Sequence, residues 1–161
     1  MNQPLRAQHP GVPRFEPGAL AGELPPAAVS YFSFSIQPGT PLAGTAEIVF
    51  AGRVRLKPGT GWLPFQATET IHAGRSFRVT ARARRGPLTA VVADSYRAGQ
   101  ARSQVRAFGV IPVRVRRGAD LARSARGRLV AESVWLPPAF LPGHRVRWSG
   151  GSRDTARLTV P

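Results

Sequence analysis

From Thr45 onward the apolar residues recur at every second position, and this period constrains the fold more than any single motif. In Phe77 to Arg84, the residues Phe77, Val79, Ala81 and Ala83 share one parity, and Arg78, Thr80, Arg82 and Arg84 share the other. Side chains of a strand point alternately to opposite faces, so the pattern predicts a strand with one buried and one solvated face. Ala46 to Leu56 alternates in the same way, with Ala46, Ile48, Phe50, Val54 and Leu56 against Glu47, Arg53 and Arg55. Trp62 to His72 forms a further strand, with Pro64 near its start, where a missing amide donor is tolerated. Leu88 to Tyr96 and a long segment from Gln100 to Val115, interrupted at Gly109 and Pro112, complete the run. The breakers are short: Lys57 to Gly61, Arg85-Gly86-Pro87 and Arg97-Ala98-Gly99. Successive strands joined by short turns predict an antiparallel meander.

After Asp120 the period changes. Leu121, Ala125, Leu129, Glu132 and Leu136 fall at spacings of three and four, which predicts one principal helix over about residues 120–134. Asp120 is the expected N-cap, Gly127 weakens the helix by about 1 kcal/mol relative to Ala, and Pro137 and Pro138 end it. Two more strands, Arg145 to Trp148 and Thr155 to Val160, are expected around Gly150 and Gly151. The fold class is therefore mainly β (α+β), a curved antiparallel sheet with one principal helix.

Residues 1–26 are rich in proline (Pro4, Pro10, Pro13, Pro17, Pro25, Pro26) and poor in large apolar side chains, which predicts a flexible tail. A short apolar piece, Ala27 to Ile36, ends at the turn-like Gln37 to Pro41, and residues 27–161 are expected to form a single β-rich domain. Without cysteine there is no disulfide framework, thiolate zinc site or cysteine nucleophile. No apolar run is long enough to span a bilayer, and the first thirty residues lack the apolar core of a secretory signal, so a soluble, cytoplasmic protein is expected.

The 161 residues carry a net charge of +15, from 23 basic and 8 acidic side chains, with Lys57 the only lysine. Such an arginine bias suits phosphate recognition, because the guanidinium presents a planar fork of donors; it also follows from a GC-rich genome. Strand parity sets Arg78, Arg82, Arg84, Arg102 and Arg106 on exposed faces, where they are candidate contacts to a polyanion, with non-specific adhesion as the plainer outcome. A basic nucleic-acid-binding module is the alternative function, weakened because Phe77 has the buried parity and Tyr96 stands alone as a stacking surface.

Glu132 shares the leucine stripe, and a buried acid needs a partner. Arg128 one turn earlier, Arg53 and Arg106 are the candidates, and such an ion pair outweighs a hydrolase or isomerase using Glu132 as its acid or base. Asp94 is a distant second acid, better explained as a turn cap. His9, His72 and His144 are too scattered for a metal site, and no nucleophile elbow or phosphate loop is present, so no cofactor or metal is implied. Trp135, Leu136, Phe140 and Leu141 are most simply core. Together with Glu132 they are also the candidate ligand-binding set, lining an apolar cavity between sheet and helix. The reading is a non-enzymatic domain that binds an apolar or amphiphilic small molecule or a protein partner, with self-association through an open sheet edge as a further use.

Gly61 to Glu69 (GWLPFQATE), Asp94 to Gly99 (DSYRAG), Phe108 to Val113 (FGVIPV) and Ala131 to Pro142 (AESVWLPPAFLP) occur in this order. They resemble an uncharacterised bacterial family, domain of unknown function 6544, over its N-terminal portion. Leu129 and Leu136 depart from the aromatics usual there, Pro138 from a threonine and Ala101 from a glycine. The resemblance implies no activity. It implies that the chain is the front part of a longer β domain, truncated at its C-terminus, and a half-barrel of the kind found in bacterial lipoprotein carriers.

Overall fold

The computed structural model describes residues 11–55, 58–59, 61–143 and 146–160. Six strands follow one another as a meander: β1 Thr45–Val54, β2 Leu63–His72, β3 Ser76–Arg85, β4 Leu88–Arg97, β5 Gln100–Ala107 and β6 Ile111–Arg116. Each pairs antiparallel with the next, and the sheet stays open, with β1 and β6 as its edges. It is a mainly β fold with one main helix and no closed barrel. The long segment from Gln100 divides at Phe108-Gly109, where Phe108 and Gly109 both take positive φ and turn the chain back. Of the connection expected at Lys57 to Gly61, Lys57 and Thr60 fall outside the described residues.

The parity expected from the sequence is the parity of the sheet. Phe65, Ala67, Glu69 and Ile71 of β2 lie beside Ala83, Ala81, Val79 and Phe77 of β3. One helix, Ala119–Glu132, packs on this side against β4 and β5. Its buried Ala125 and Leu129 join Leu136, Ala139, Ala67, Ile71, Phe77 and Val79 in a core. The helix runs through Gly127 as expected, but its N-cap is Gly118 at φ 121, not Asp120. Asp120 sits inside the first turn, where its charge favours the helix N-terminus and its carboxylate accepts from Arg123 at 3.0 Å. After Glu132 the helix tightens into 3-10 turns, Ser133–Trp135 and Pro137–Phe140. The Ser133 hydroxyl donates to the Leu129 carbonyl at 2.7 Å.

The chain divides into two compact units, Gly44–Ala139, just described, and a second formed by the described residues up to Ala43 with those from Phe140 onward. In the second unit a helix not expected from the sequence, Pro26–Ser35, starts with proline at its first position and buries Ala28, Phe32 and the following Ile36 at intervals of four. Of the segment expected as a tail, residues 1–10 lie outside the described residues. From Gly11 on the segment is built into this unit: Phe15, 2 % exposed, exchanges backbone bonds with Thr40 and Gly39, and Leu20 is buried. A few well-placed apolar groups and backbone pairing outweigh a proline-rich composition. The unit ends in a hairpin, β7 Arg147–Gly150 and β8 Ala156–Thr159, with the Trp148 indole donating to the Phe140 carbonyl at 2.9 Å. The expected strand start at Arg145 lies outside the described residues.

Candidate functional site

The helix side of the sheet holds an unusual polar centre. Strand register puts Glu69 of β2, Val79 of β3, Asp94 of β4 and Ser103 of β5 in one row. Arg128, from the middle of the helix, reaches down among them. Its Nη2 lies 3.3 Å from Glu69 Oε1 and its Nη1 3.7 Å from Asp94 Oδ2, while Nε donates to both carboxylate oxygens of Glu132 at 2.8 and 2.9 Å. The guanidinium also lies 4.8 Å from the centre of the Phe77 ring, which in turn stacks on Tyr96. One cation thus holds three carboxylates.

Glu69 is 4 % exposed, and its pKa is raised from 4.5 to about 7. Burial is the main cause, because it penalises the charged form. A hydrogen bond with Glu132 and the charge of Glu132 push the same way, and the attraction of Arg128 only partly opposes them. Glu69 therefore keeps its proton up to near neutral pH. A cavity of about 190 Å³ opens beside this centre, lined by Phe77, Asp94, Ser103, Leu121, Ser124 and Arg128 among others, but neither Glu69 nor Glu132 lines it. Through Arg128 the two acids tie the helix to the sheet.

The opposite side of the sheet is open. Register sets Arg78 beside Ser95 and Arg102, and Arg82 beside Val91 and Arg106, with Arg84 two residues further along β3. All five of these sequence-predicted arginines are exposed. Arg102 and Arg106 both donate to the Gln104 side-chain oxygen, at 3.3 and 3.1 Å, which fixes them relative to each other. Two shallow grooves lie on this face. One, about 430 Å³, runs over Val49, Ala51, Thr68 and Thr80; the other, about 590 Å³, over Ala51, Gly52, Pro64 and Thr89. Gln66 and Arg82 border both, and Arg84 borders the second.

The candidate ligand-binding residues divide between the two units. Glu132 is half-buried on Arg128. Leu136 is in the helix-side core, whereas Phe140 and Leu141 are in the core of the other unit. Trp135, expected in the core, is 69 % exposed. Trp135 is not on the leucine stripe, and in the 3-10 turn after Glu132, where the chain advances three residues per turn, it faces solvent while Leu136 stays buried. His72 Nδ1 lies 2.9 Å from Thr45 Oγ1, and His9 and His144 are outside the described residues. Among the described residues no cluster of three His, Cys, Asp or Glu side chains is placed to hold a metal, and no helix is long and apolar enough to cross a membrane.

A family model described as a family of unknown function (DUF6544) matches residues 13–161. The chain belongs to that family. No curated protein and no solved structure matches it. In this DUF6544 member the sequence pointed to Glu132 and to Arg128 as its partner, but not to Glu69 as the third member. The available signal was parity: Glu69 lies between Ala67 and Ile71 on the buried face of β2. Asp94 carried the same signal, with Val92 and Tyr96 at its parity, and faces the helix instead of capping a turn.

Proposed function

We propose that this DUF6544 member is a non-enzymatic binding domain for an amphiphilic ligand with an anionic group, held on the open face of its six-stranded sheet. The observation that carries this reading is Arg82, which borders two grooves whose floors are small and apolar or hydroxylated, including Val49, Ala51, Thr68 and Thr80. A guanidinium beside an apolar floor suits a carboxylate or phosphate joined to a hydrocarbon body, with the fork on the charge and the floor beneath the chain. A purely apolar ligand has less support, because Leu136, Phe140 and Leu141 are spent in two cores. A hydrolase or isomerase using Glu132 has less as well, because Arg128 neutralises that acid at 2.8 Å.

A basic nucleic-acid module is the rival on the same face. Phe77 and Tyr96 stack on each other on the helix side and offer it no platform, which leaves Phe50 and Phe65, at the margins of the two grooves, as its stacking surfaces. The test is binding of a fluorescent long-chain fatty acid against the alcohol of equal chain length. The acid should bind stoichiometrically and the alcohol weakly, and Arg82→Gln should weaken the acid about tenfold, the value of one charge-assisted contact. Ala51→Trp should block both grooves. Equal binding of acid and alcohol, or indifference to Arg82→Gln, would reject the reading. Oligonucleotide binding that discriminates strandedness and falls steeply with salt would favour the rival.

A further inference from the structure

The turn between β5 and β6 places a strained aromatic in solvent. Phe108 has φ 52, in the left-handed region that a bulky side chain seldom adopts, and its side chain is 59 % exposed, so packing does not compensate the strain. Val110, Ile111 and Val113 follow it, all exposed. The Phe108 amide donates to the Thr89 carbonyl at 2.6 Å, which brings the exposed Leu88 beside the same tip. Exposed apolar side chains gathered at one end of a sheet mark an interaction surface.

The charges around this tip are of one sign. Arg84 pairs with Thr89, Arg106 closes β5, and Arg114 and Arg116 lie on β6, all exposed. The sequence has no acid from Arg84 to Ala93 or from Gln100 to Gly118. Although β6 is an edge, it is a poor template for a partner strand. Pro112 lacks an amide donor, Val113 is an extra residue in the register where Val105 pairs with Arg114 and Arg106 with Pro112, and the arginines resist like-charged pairing with a second copy.

Apolar residues that can enter the boundary between head groups and acyl chains, within a collar of arginines, match an anionic bilayer surface. We infer that the β5–β6 tip, through Phe108, Val110 and Ile111 with Arg84, Arg106 and Arg114 around them, docks the chain on membranes containing anionic lipid. This surface meets the second groove at Arg84 but does not include Arg82.

Because the chain has no cysteine, Val110→Cys gives a single site for an environment-sensitive dye. With phosphatidylcholine vesicles containing phosphatidylglycerol, the dye emission should shift to the blue and be quenched by shallow nitroxide lipids; with phosphatidylcholine alone it should not. Phe108→Gly keeps the backbone conformation, so the unfolding midpoint should be unchanged or higher while vesicle affinity falls at least tenfold. Arg114→Gln should weaken binding severalfold and flatten its salt dependence, and Arg82→Gln should leave it intact. Vesicle binding with an unshifted dye, or binding that survives Phe108→Gly, would overturn the inference. So would loss on Arg82→Gln alone, which would transfer the binding to the grooves. An acidic peptide or oligonucleotide that shifts the dye as strongly as the vesicles would overturn it too.

Discussion

Replacing Glu69 by glutamine should change how the stability of the chain depends on pH, and its buried position sets the size of the change. In the folded chain Glu69 holds its proton up to about pH 7, against an ordinary value of 4.5. Below about 4.5 the carboxyl is protonated in both folded and unfolded states, and its full contribution to stability is present. Between 4.5 and 7 the folded state binds a proton that the unfolded state has lost, so stability falls as pH rises, and above 7 the loss is complete. The rise from 4.5 to about 7, at roughly 1.4 kcal/mol for each pH unit, amounts to about 3 kcal/mol. Glutamine cannot ionise, yet its amide can donate to Glu132 and its oxygen accept from Arg128, so it mimics the protonated acid. Urea unfolding of both proteins at several pH values between about 4 and 8.5 isolates the effect, since every other carboxylate is common to both. The stability difference should move in favour of Glu69→Gln by about 3 kcal/mol across that window. Parallel curves would refute the raised pKa of Glu69, and a difference moving the opposite way would mean that Arg128 dominates and holds Glu69 ionised.

Removing Arg128 should cost more than removing any one of its acids, because Arg128→Met leaves Glu69, Asp94 and Glu132 without a cation; a loss of about 3 kcal/mol in urea or thermal unfolding is expected. Adjacent residues of the 3-10 turn should behave oppositely: Leu136→Ala should cost about 2 to 5 kcal/mol, and Trp135→Ser less than about 0.5 kcal/mol. Equal losses at the two positions would place Trp135 in the core after all.

Much of the fold was legible because alternation is a local property that the sheet preserves. The parity of Phe77 to Arg84 gave both the buried row and the exposed arginines, and each strand end lies within two residues of its expected place where it is described. Helix Pro26–Ser35 was not legible, because ten residues with apolar groups on several sides carry little amphipathic signal, and only packing around Phe32 selects its buried face. Phe15 was hidden for a related reason: its burial depends on backbone bonds to Thr40 and Gly39, which no window around residue 15 contains.

The candidate sites divide along the same line. The sequence by itself determined that Glu132 shares a stripe with leucines and that Arg128, four residues earlier, can reach it, since both facts follow from helical pitch. It also determined that Arg78, Arg82 and Arg84 lie on one exposed side of their strand and Arg102 and Arg106 on one side of theirs, since that follows from the pleat, whereas register brought the two sets to one face. Only the tertiary structure decided that the same guanidinium meets Glu69 and Asp94, which lie 59 and 34 positions away in the chain. Register between strands, and the seating of the helix on them, fix such distances, and neither is a property of any local segment. The same holds for the proton that Glu69 keeps, because burial raises a pKa only after distant parts of the chain have closed over the group.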